Sequence, residues 1–330
     1  MKDVAEQAGV GIKTVSRVVN GEPGVAPETT ARVLTVIQDL GFRRNDSART
    51  LRTGRAGAIA LLVEQVADPF YSALTGAAEE VASRHGSLLL TGSCHDDPRR
   101  EQELALAFCA RRVDGVIIVP AAADHGYLAP EMAAGLAAVF VDRPPVNLDA
   151  DTVLADNAGG ARRGVEHLLA GGHRRIGFLG DTPTIHTAAE RLRGYREAVS
   201  AAGLTVDPHL VETDALNPGR IDLALARLLD GPDPATALFT GNNRLTVEVV
   251  RRITGRADRP ALVGFDDFEL ADLLTPAVTV IAQDPAGLGH TASEMLFSRL
   301  LGDRSAPHRV VLPTRLIPRG SGEVGPKARP

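Results

Sequence analysis

The chain has 330 residues, 44% of them hydrophobic, with 36 Lys and Arg against 41 Asp and Glu, a net charge of −5. That length and apolar content suffice for more than one buried core, and the acidic balance excludes a polyanion binder along the whole chain. Two cysteines, Cys94 and Cys109, exclude a disulfide scaffold and lack a metal-ligand spacing, no run approaches the roughly 20 apolar residues of a bilayer span, and no signal segment opens the chain. A cytoplasmic protein with no membrane partner, metal or cofactor is expected.

Charge is uneven along the sequence. Residues 1–55 carry nine Lys or Arg against six Asp or Glu, net +3, and the remainder carries 27 against 35, net −8. Only the first segment suits a polyanion. Within it, Asp3 to Asn20 reads as two short helices. Val4, Ala5 and Ala8 form one apolar stripe at helical spacing and Val15, Val18 and Val19 another, with Gly9 supplying the permissive backbone of a sharp turn. The second helix presents Ile12, Lys13, Thr14, Ser16 and Arg17 outward. This pattern fits a DNA-reading helix-turn-helix, and equally an ordinary helical hairpin with a solvated polar face. Pro27-Glu28-Thr29 opens a third helix, Val33, Ile37 and Leu40 give it an inner stripe, and Gly41 ends it.

The run A-G-V-x-x-x-T-V-S-R-V-V-N, with the third helix after it, resembles the headpiece of the LacI/GalR family of bacterial transcriptional regulators. The resemblance extends over nearly the whole chain. It implies that Ile12 and Lys13 occupy the two variable positions that set operator preference and that Arg17 is a third base contact. Lys13 can donate to guanine and Ile12 can meet a thymine methyl, whereas Thr14, Ser16 and Asn20 suit phosphate. A phosphate-anchor role for Lys13 stays open. Met1-Lys2 and Gly11 depart from the family where the two helices begin, Gly11 standing where Ser often caps.

Ser47 to Arg55, SARTLRTGR, reads alone as a basic linker. The resemblance makes it a hinge helix in which Leu51 wedges into the minor groove beside Ala48, with Arg52 near phosphate.

From Gly57 the texture alternates. Strand-length apolar runs occur at 58–63, 88–91, 116–119, 138–141, 176–179, 237–240, 261–263 and 278–281, and helical stretches at 71–85, 98–111, 161–169, 189–201, 221–229 and 285–301. Alternation implies parallel sheets with right-handed crossovers, and the strand count suggests two of them. The expected fold is therefore an all-α helix-turn-helix headpiece plus an α/β two-lobed, periplasmic-binding-protein-like sensor of two doubly wound parallel sheets. The boundaries are headpiece 1–45, hinge 46–56, and sensor 57–320, with lobe 1 at about 57–157 and 284–312 and lobe 2 at about 158–282 and 313–320. Crossings between lobes fall near 156–159, 282–284 and 312–314, and a disordered tail is expected over 321–330.

Ligands of open parallel sheets sit beyond the carboxyl ends of the strands, here between the lobes. Phe70 and Tyr71 follow the first strand and suit stacking on a ring, or a role in the core. By the resemblance, Arg191 reaches into the cleft and Asp266 is its acid, although each alone reads as half of a surface ion pair. Asp156, Asn242 and Gln283 can add hydrogen bonds, and Asn243 stands where many sugar-binding relatives carry an aspartate. No Walker loop, dinucleotide fingerprint, nucleophile elbow or zinc spacing appears, so an enzyme is not expected. The sequence thus predicts a homodimeric repressor of double-stranded operator DNA, modulated by a sugar-like small-molecule effector. A purine or nucleoside effector is the alternative, and an enzyme or binding protein on the sensor fold a remoter one.

Overall fold

The computed structural model describes residues 1–42, 56–217 and 219–326. The chain forms two compact units, Met1–Ala56 and Gly57–Pro330. Among the described residues no helix is long and apolar enough to cross a membrane. Ala48, Leu51 and Arg52 lie outside the described residues.

The first unit holds α1 (Lys2–Gln7), α2 (Ile12–Asn20) and α3 (Pro27–Asp39). Val4, Ala5, Ala8, Val15, Val33 and Val36 make its core, with Val10, Val18, Val19, Ile37 and Phe42 packed around them. Gly9 turns the chain between α1 and α2 with φ at +65°, a region where a side chain is strained. Gly41, at φ +57°, ends α3. Leu40, expected inside, is 43% exposed, and Val36 takes the inward position instead.

The second unit begins with β1 (Ala58–Val63), α4 (Pro69–Arg84), β2 (Leu88–Ser93), α5 (Pro98–Ala110), β3 (Gly115–Ile118), a short α6 (Ala129–Ala133), β4 (Ala137–Val141) and β5 (Asp151–Ala155). It continues through α7 (Asn157–Ala170), β6 (Ile176–Leu179), α8 (His186–Ala201), β7 (Val211–Glu212), α9 (Arg220–Leu229), β8 (Ala237–Thr240), α10 (Asn243–Ile253), β9 (Ala261–Phe265) and β10 (Thr279–Ala282). It closes with α11 (Pro285–Leu300), β11 (Arg309–Leu312) and β12 (Arg315–Ile317).

The strands form two sheets of six, ordered β11-β5-β4-β3-β1-β2 and β12-β10-β9-β8-β6-β7. The first is parallel throughout, and the second carries one antiparallel edge, β12 on β10. Helices cover both faces, so the continuous apolar run of β1 divides by parity. Ile59, Leu61 and Val63 pack under α4 and α11, and Ala60 and Leu62 meet α5 on the opposite side. In the second sheet α7 and α8 cover one face and α9 and α10 the other. The chain passes between sheets after β5, after β10 and between β11 and β12.

Two of these passages use the same device. Asp156 accepts the Gly159 amide at 2.9 Å to cap α7, and Asp284 accepts the Gly287 amide at 2.8 Å to cap α11. A glycine in each lobe then admits close helix packing. A Cβ at Gly289 would stand 2.2 Å from the Leu74 carbonyl oxygen of α4, and one at Gly194 of α8 would stand 2.1 Å from the Ala158 carbonyl oxygen of α7.

The tail departs from expectation over Ser321–Pro326. Ser321 is buried, donating from Oγ to the Leu262 carbonyl at 2.6 Å and accepting the Thr279 amide at 2.9 Å. Glu323 accepts the Thr279 hydroxyl at 2.9 Å. These polar side chains satisfy backbone and side-chain groups at the ends of β9 and β10, a use that a Gly- and Pro-containing composition does not reveal.

Candidate functional site

Between the two sheets, at their carboxyl ends, lies a cavity of about 250 Å³. Loops leaving β1, β2 and β4 build one wall. Glu64 directly follows β1, and Asp68 caps α4 by accepting the Phe70 amide at 2.9 Å. Phe70 and Tyr71 meet edge to face with centroids 5.1 Å apart. Tyr71 is buried, and its hydroxyl donates to Glu64 Oε2 at 3.1 Å, so it braces the wall and Phe70 is the ring left half-exposed.

Arg143, just past β4, fastens this wall. It donates from Nη1 to Asp96 at 2.6 Å and to the Pro120 carbonyl at 3.0 Å, and from Nη2 to Glu64 at 3.2 Å. Its buried Nε has no hydrogen-bond partner among the described residues and lies 3.6 Å from Asp142. Burial raises the carboxyl pKa of Asp142 above its ordinary value, and burial with the nearby Asp96 charge does the same for Glu64.

The facing wall comes from the second sheet. Arg191 on α8 is buried, donating from Nε to Asn157 at 2.7 Å and from Nη1 to the Gly241 carbonyl at 2.6 Å and to Asp266 at 3.2 Å. Its guanidinium lies 4.0 Å from the centroid of the Phe265 ring, a cation–π contact in a desolvated place. Asp266, past β9 with φ at +67°, accepts Gln283 Nε2 at 2.6 Å. The other amide atom, Gln283 Oε1, is buried without a hydrogen-bond partner among the described residues. Asn242 accepts the Leu245 amide at 2.8 Å to cap α10 and donates to Asp181 at 2.6 Å. Asn243, the first residue of α10, accepts the Arg244 amide at 2.7 Å. Burial raises the Asp181 carboxyl, outweighing Arg244 and Arg191.

The cavity therefore brings together Phe70, Tyr71, Arg191, Asn242, Asn243, Asp266 and Gln283. Asp156 is not on its wall. Its carboxylate is consumed in capping α7 and in a 3.4 Å ion pair with Arg163, and its neighbour Asn157 is the residue that holds Arg191. Sequence reasoning missed Glu64, Asp96, Asp142, Arg143, Asp181 and Arg244, all on the wall. Four of these acids follow strand ends, the position that marks ligand sites in parallel sheets.

In the other unit, α2 starts with Ile12, 47% exposed, and an exposed Lys13, and Arg17 is exposed one turn later. Val15 between them is fully buried and anchors the helix. Thr14, Ser16 and Asn20 are half-buried, and Asn20 donates to Ser16 at 3.3 Å and to Glu22 at 3.0 Å. Gly11 caps α2 without a side chain, its carbonyl accepting the Thr14 amide at 2.8 Å.

Residues 1–45 match the description "Bacterial regulatory proteins, lacI family" and residues 165–322 match "Periplasmic binding protein-like domain". The chain is 32% identical over 332 aligned residues to the HTH-type transcriptional regulator CelR of Thermobifida fusca, covering 97% of each. The chain belongs to the LacI family.

A second LacI-family relative, the ribose operon repressor of Escherichia coli (strain K12), is 32% identical over 97% of this chain and 99% of its own. Among solved structures, the lac repressor dimer bound to operator and the anti-inducer ONPF superposes with a TM-score of 0.83 at 26% identity, covering 98% of both chains. A CelR–cellobiose complex superposes with a TM-score of 0.70 at 30% identity, covering 97% and 98%. As a LacI-family member the chain is a DNA-binding transcription regulator and not an enzyme.

Proposed function

We propose that this regulator is a homodimeric repressor that binds a pseudo-palindromic operator and changes its affinity when a neutral polyhydroxyl molecule of sugar class enters the sensor cavity. The observation that carries the ligand class is the Arg191–Asp266–Gln283 chain. Arg191 and Asp266 balance each other's charge, so a neutral guest leaves neither ion unpaired. The same wall offers further donors in Asn243 and Arg244 and acceptors in Glu64, Asp68 and Asp181. A polyhydroxyl both donates and accepts, so it can bond both kinds of group. The carboxylates on the wall outnumber the arginines six to three, which disfavours phosphorylated or acidic sugars.

Ile12, Lys13 and Arg17 read base edges, and Thr14, Ser16 and Asn20 fix register on phosphate. Leu51 wedges into the minor groove with Ala48 beside it, and Arg52 lies near phosphate. Two-fold symmetry of a dimer matches two half-sites. Coupling is reciprocal, so whatever factor the ligand applies to operator affinity, operator applies to ligand affinity.

Fluorescence anisotropy with the DNA upstream of this protein's own coding sequence tests the reading. Specific binding is expected to weaken steeply with salt and to exceed binding to random DNA by about 10³-fold or more. Equal affinity for both DNAs at every salt concentration overturns it.

A further inference from the structure

The carboxylate of Glu64 faces two ways. Its Oε2 accepts from its own wall, from the Tyr71 hydroxyl at 3.1 Å and from Arg143 Nη2 at 3.2 Å, while its Oε1 accepts from the opposite wall, from Arg244 Nη1 at 3.4 Å. Tyr71 and Arg143 are buried, so the first wall holds this acceptor in place. Arg244 stands in the first turn of α10, whose start is fixed by the Asn242 cap, and its side chain is 55% exposed at the rim. Among the described residues of the cavity wall, Arg244–Glu64 is the one ion pair that joins the two walls; the others lie within a wall.

Much of the remaining charge opposes closure. Four carboxylates and Arg143 line the first wall, a formal −3, and two carboxylates with Arg191 and Arg244 line the second, a formal 0. Burial first, and then the charge of Asp96 on the opposite wall, push the Asp181 carboxyl up against the pull of Arg244 and Arg191. Burial first, and then Asp266 on the opposite wall, do the same to Asp142 against Arg143 and Arg191. Like charges thus face each other across the cleft at two places. Arg143 is engaged by Asp96, Glu64 and the Pro120 carbonyl, and Arg191 by Asn157, Asp266 and the Gly241 carbonyl, so each is tied to its own wall. Without the Arg244 charge the second wall would carry a formal −1 and repel the first.

We propose that Arg244 is a latch, whose ion pair with Glu64 draws the two walls together over a bound guest and raises the guest's affinity. The pair forms over a cavity of about 250 Å³, so a guest inside need not break it. A pair with one half-exposed partner contributes a factor of only about two to five to an equilibrium, which suits a closure that must reopen. The proposal rests on the reading of the cavity as a site for a neutral polyhydroxyl.

The test uses the full chain and the aldopentose or aldohexose that binds most tightly by calorimetry. These probes carry no charge, so any salt dependence of their binding reports the protein's own charges. Arg244→Gln should weaken binding about two- to fivefold in about 20 mM sodium chloride, and the gap from the original protein should close by about 0.5 M. Arg244→Lys keeps the charge and should stay within about twofold of the original. In a Glu64→Gln background the Arg244→Gln change should matter by less than about twofold, because the partner is already gone. No effect of Arg244→Gln overturns the proposal. A loss that persists at high salt and in the Glu64→Gln background assigns Arg244 to the sugar itself and also overturns it.

Melting curves of the same four proteins, the original, the two single variants and the double variant, need no sugar. The double variant should melt higher than the sum of the two single shifts requires, and strict additivity at low salt overturns the latch. Absence of binding by every sugar overturns the polyhydroxyl reading instead, and the melting cycle then decides whether the walls are paired.

Discussion

Arg191 Nη1 lies 3.2 Å from Asp266 Oδ2, both groups nearly buried, on elements that are far apart in sequence and meet only at the cleft. The pair is held from all sides: Arg191 by Asn157, the Gly241 carbonyl and the Phe265 ring, and Asp266 by Gln283. A buried ion pair is weak evidence for stability, because desolvation offsets much of its attraction. An Arg–Asp pair on a cavity wall instead fits the ligand-reading role proposed for it.

Asp181 provides a pH test. Burial raises its carboxyl above the ordinary 3.8, so the native state holds the proton more tightly than the unfolded chain. The stabilisation from that proton is complete below the ordinary value and is lost as pH rises through the raised one. At neutral pH the buried carboxylate therefore costs stability. Asp181→Asn keeps an acceptor for Asn242 and removes the charge, so its melting temperature should exceed that of the original protein at pH 7, with the difference shrinking toward about pH 4. A constant difference across that range contradicts the assignment.

Gly194 tests how Arg191 is placed. A methyl group there would enter the Ala158 backbone of α7, one turn of α8 beyond Arg191. Gly194→Ala should cost about 1–3 kcal/mol, a drop of several degrees in melting temperature, and should weaken ligand binding as α8 shifts. An unchanged melting curve shows that the helices can separate without consequence.

Much of the fold was legible because helical and strand periods differ. Eight apolar runs marked eight of the twelve strands among the described residues. The others were hidden for identifiable reasons. β7 has two residues, β12 has three and opens on Arg315, β11 opens on Arg309, and β5 opens on Asp151, whose carboxylate is bound by Arg299. α10 was missed because Thr246, Val247, Val249 and Val250 are β-branched and mimic a strand, although Asn242 caps it in the ordinary way. At the cavity, Arg191 and Asp266 were legible through the family pattern and Gln283 through its place at a lobe crossing. Glu64, Asp96, Asp142 and Arg143 become a unit only when β1, β2 and β4 lie side by side. Asp156 shows the converse, a plausible ligand acid whose oxygens are consumed by a helix end.

On the DNA side, the exposed start of α2 predicts a division of labour. Lys13→Ala should lower operator affinity by about 1–3 kcal/mol and relax preference at one base pair, with little loss on random DNA. Competition anisotropy with single-base operator variants measures it. A uniform loss on all sequences, with the salt slope reduced by about one, assigns Lys13 to phosphate instead.

In the proposed function the Arg191–Asp266 pair reads the ligand, and this reading alters operator binding. The most direct measurement is operator anisotropy for the original protein and for the combined Arg191→Gln and Asp266→Asn variant, with and without the sugar that binds most tightly. Removing both charges together avoids leaving one buried and unpaired. A ligand-dependent change of about 5- to 150-fold is expected for the original protein. For the variant, ligand-free operator affinity within about threefold of the original and no response to ligand are expected. A variant that still responds to the same ligand at the same concentration would contradict it.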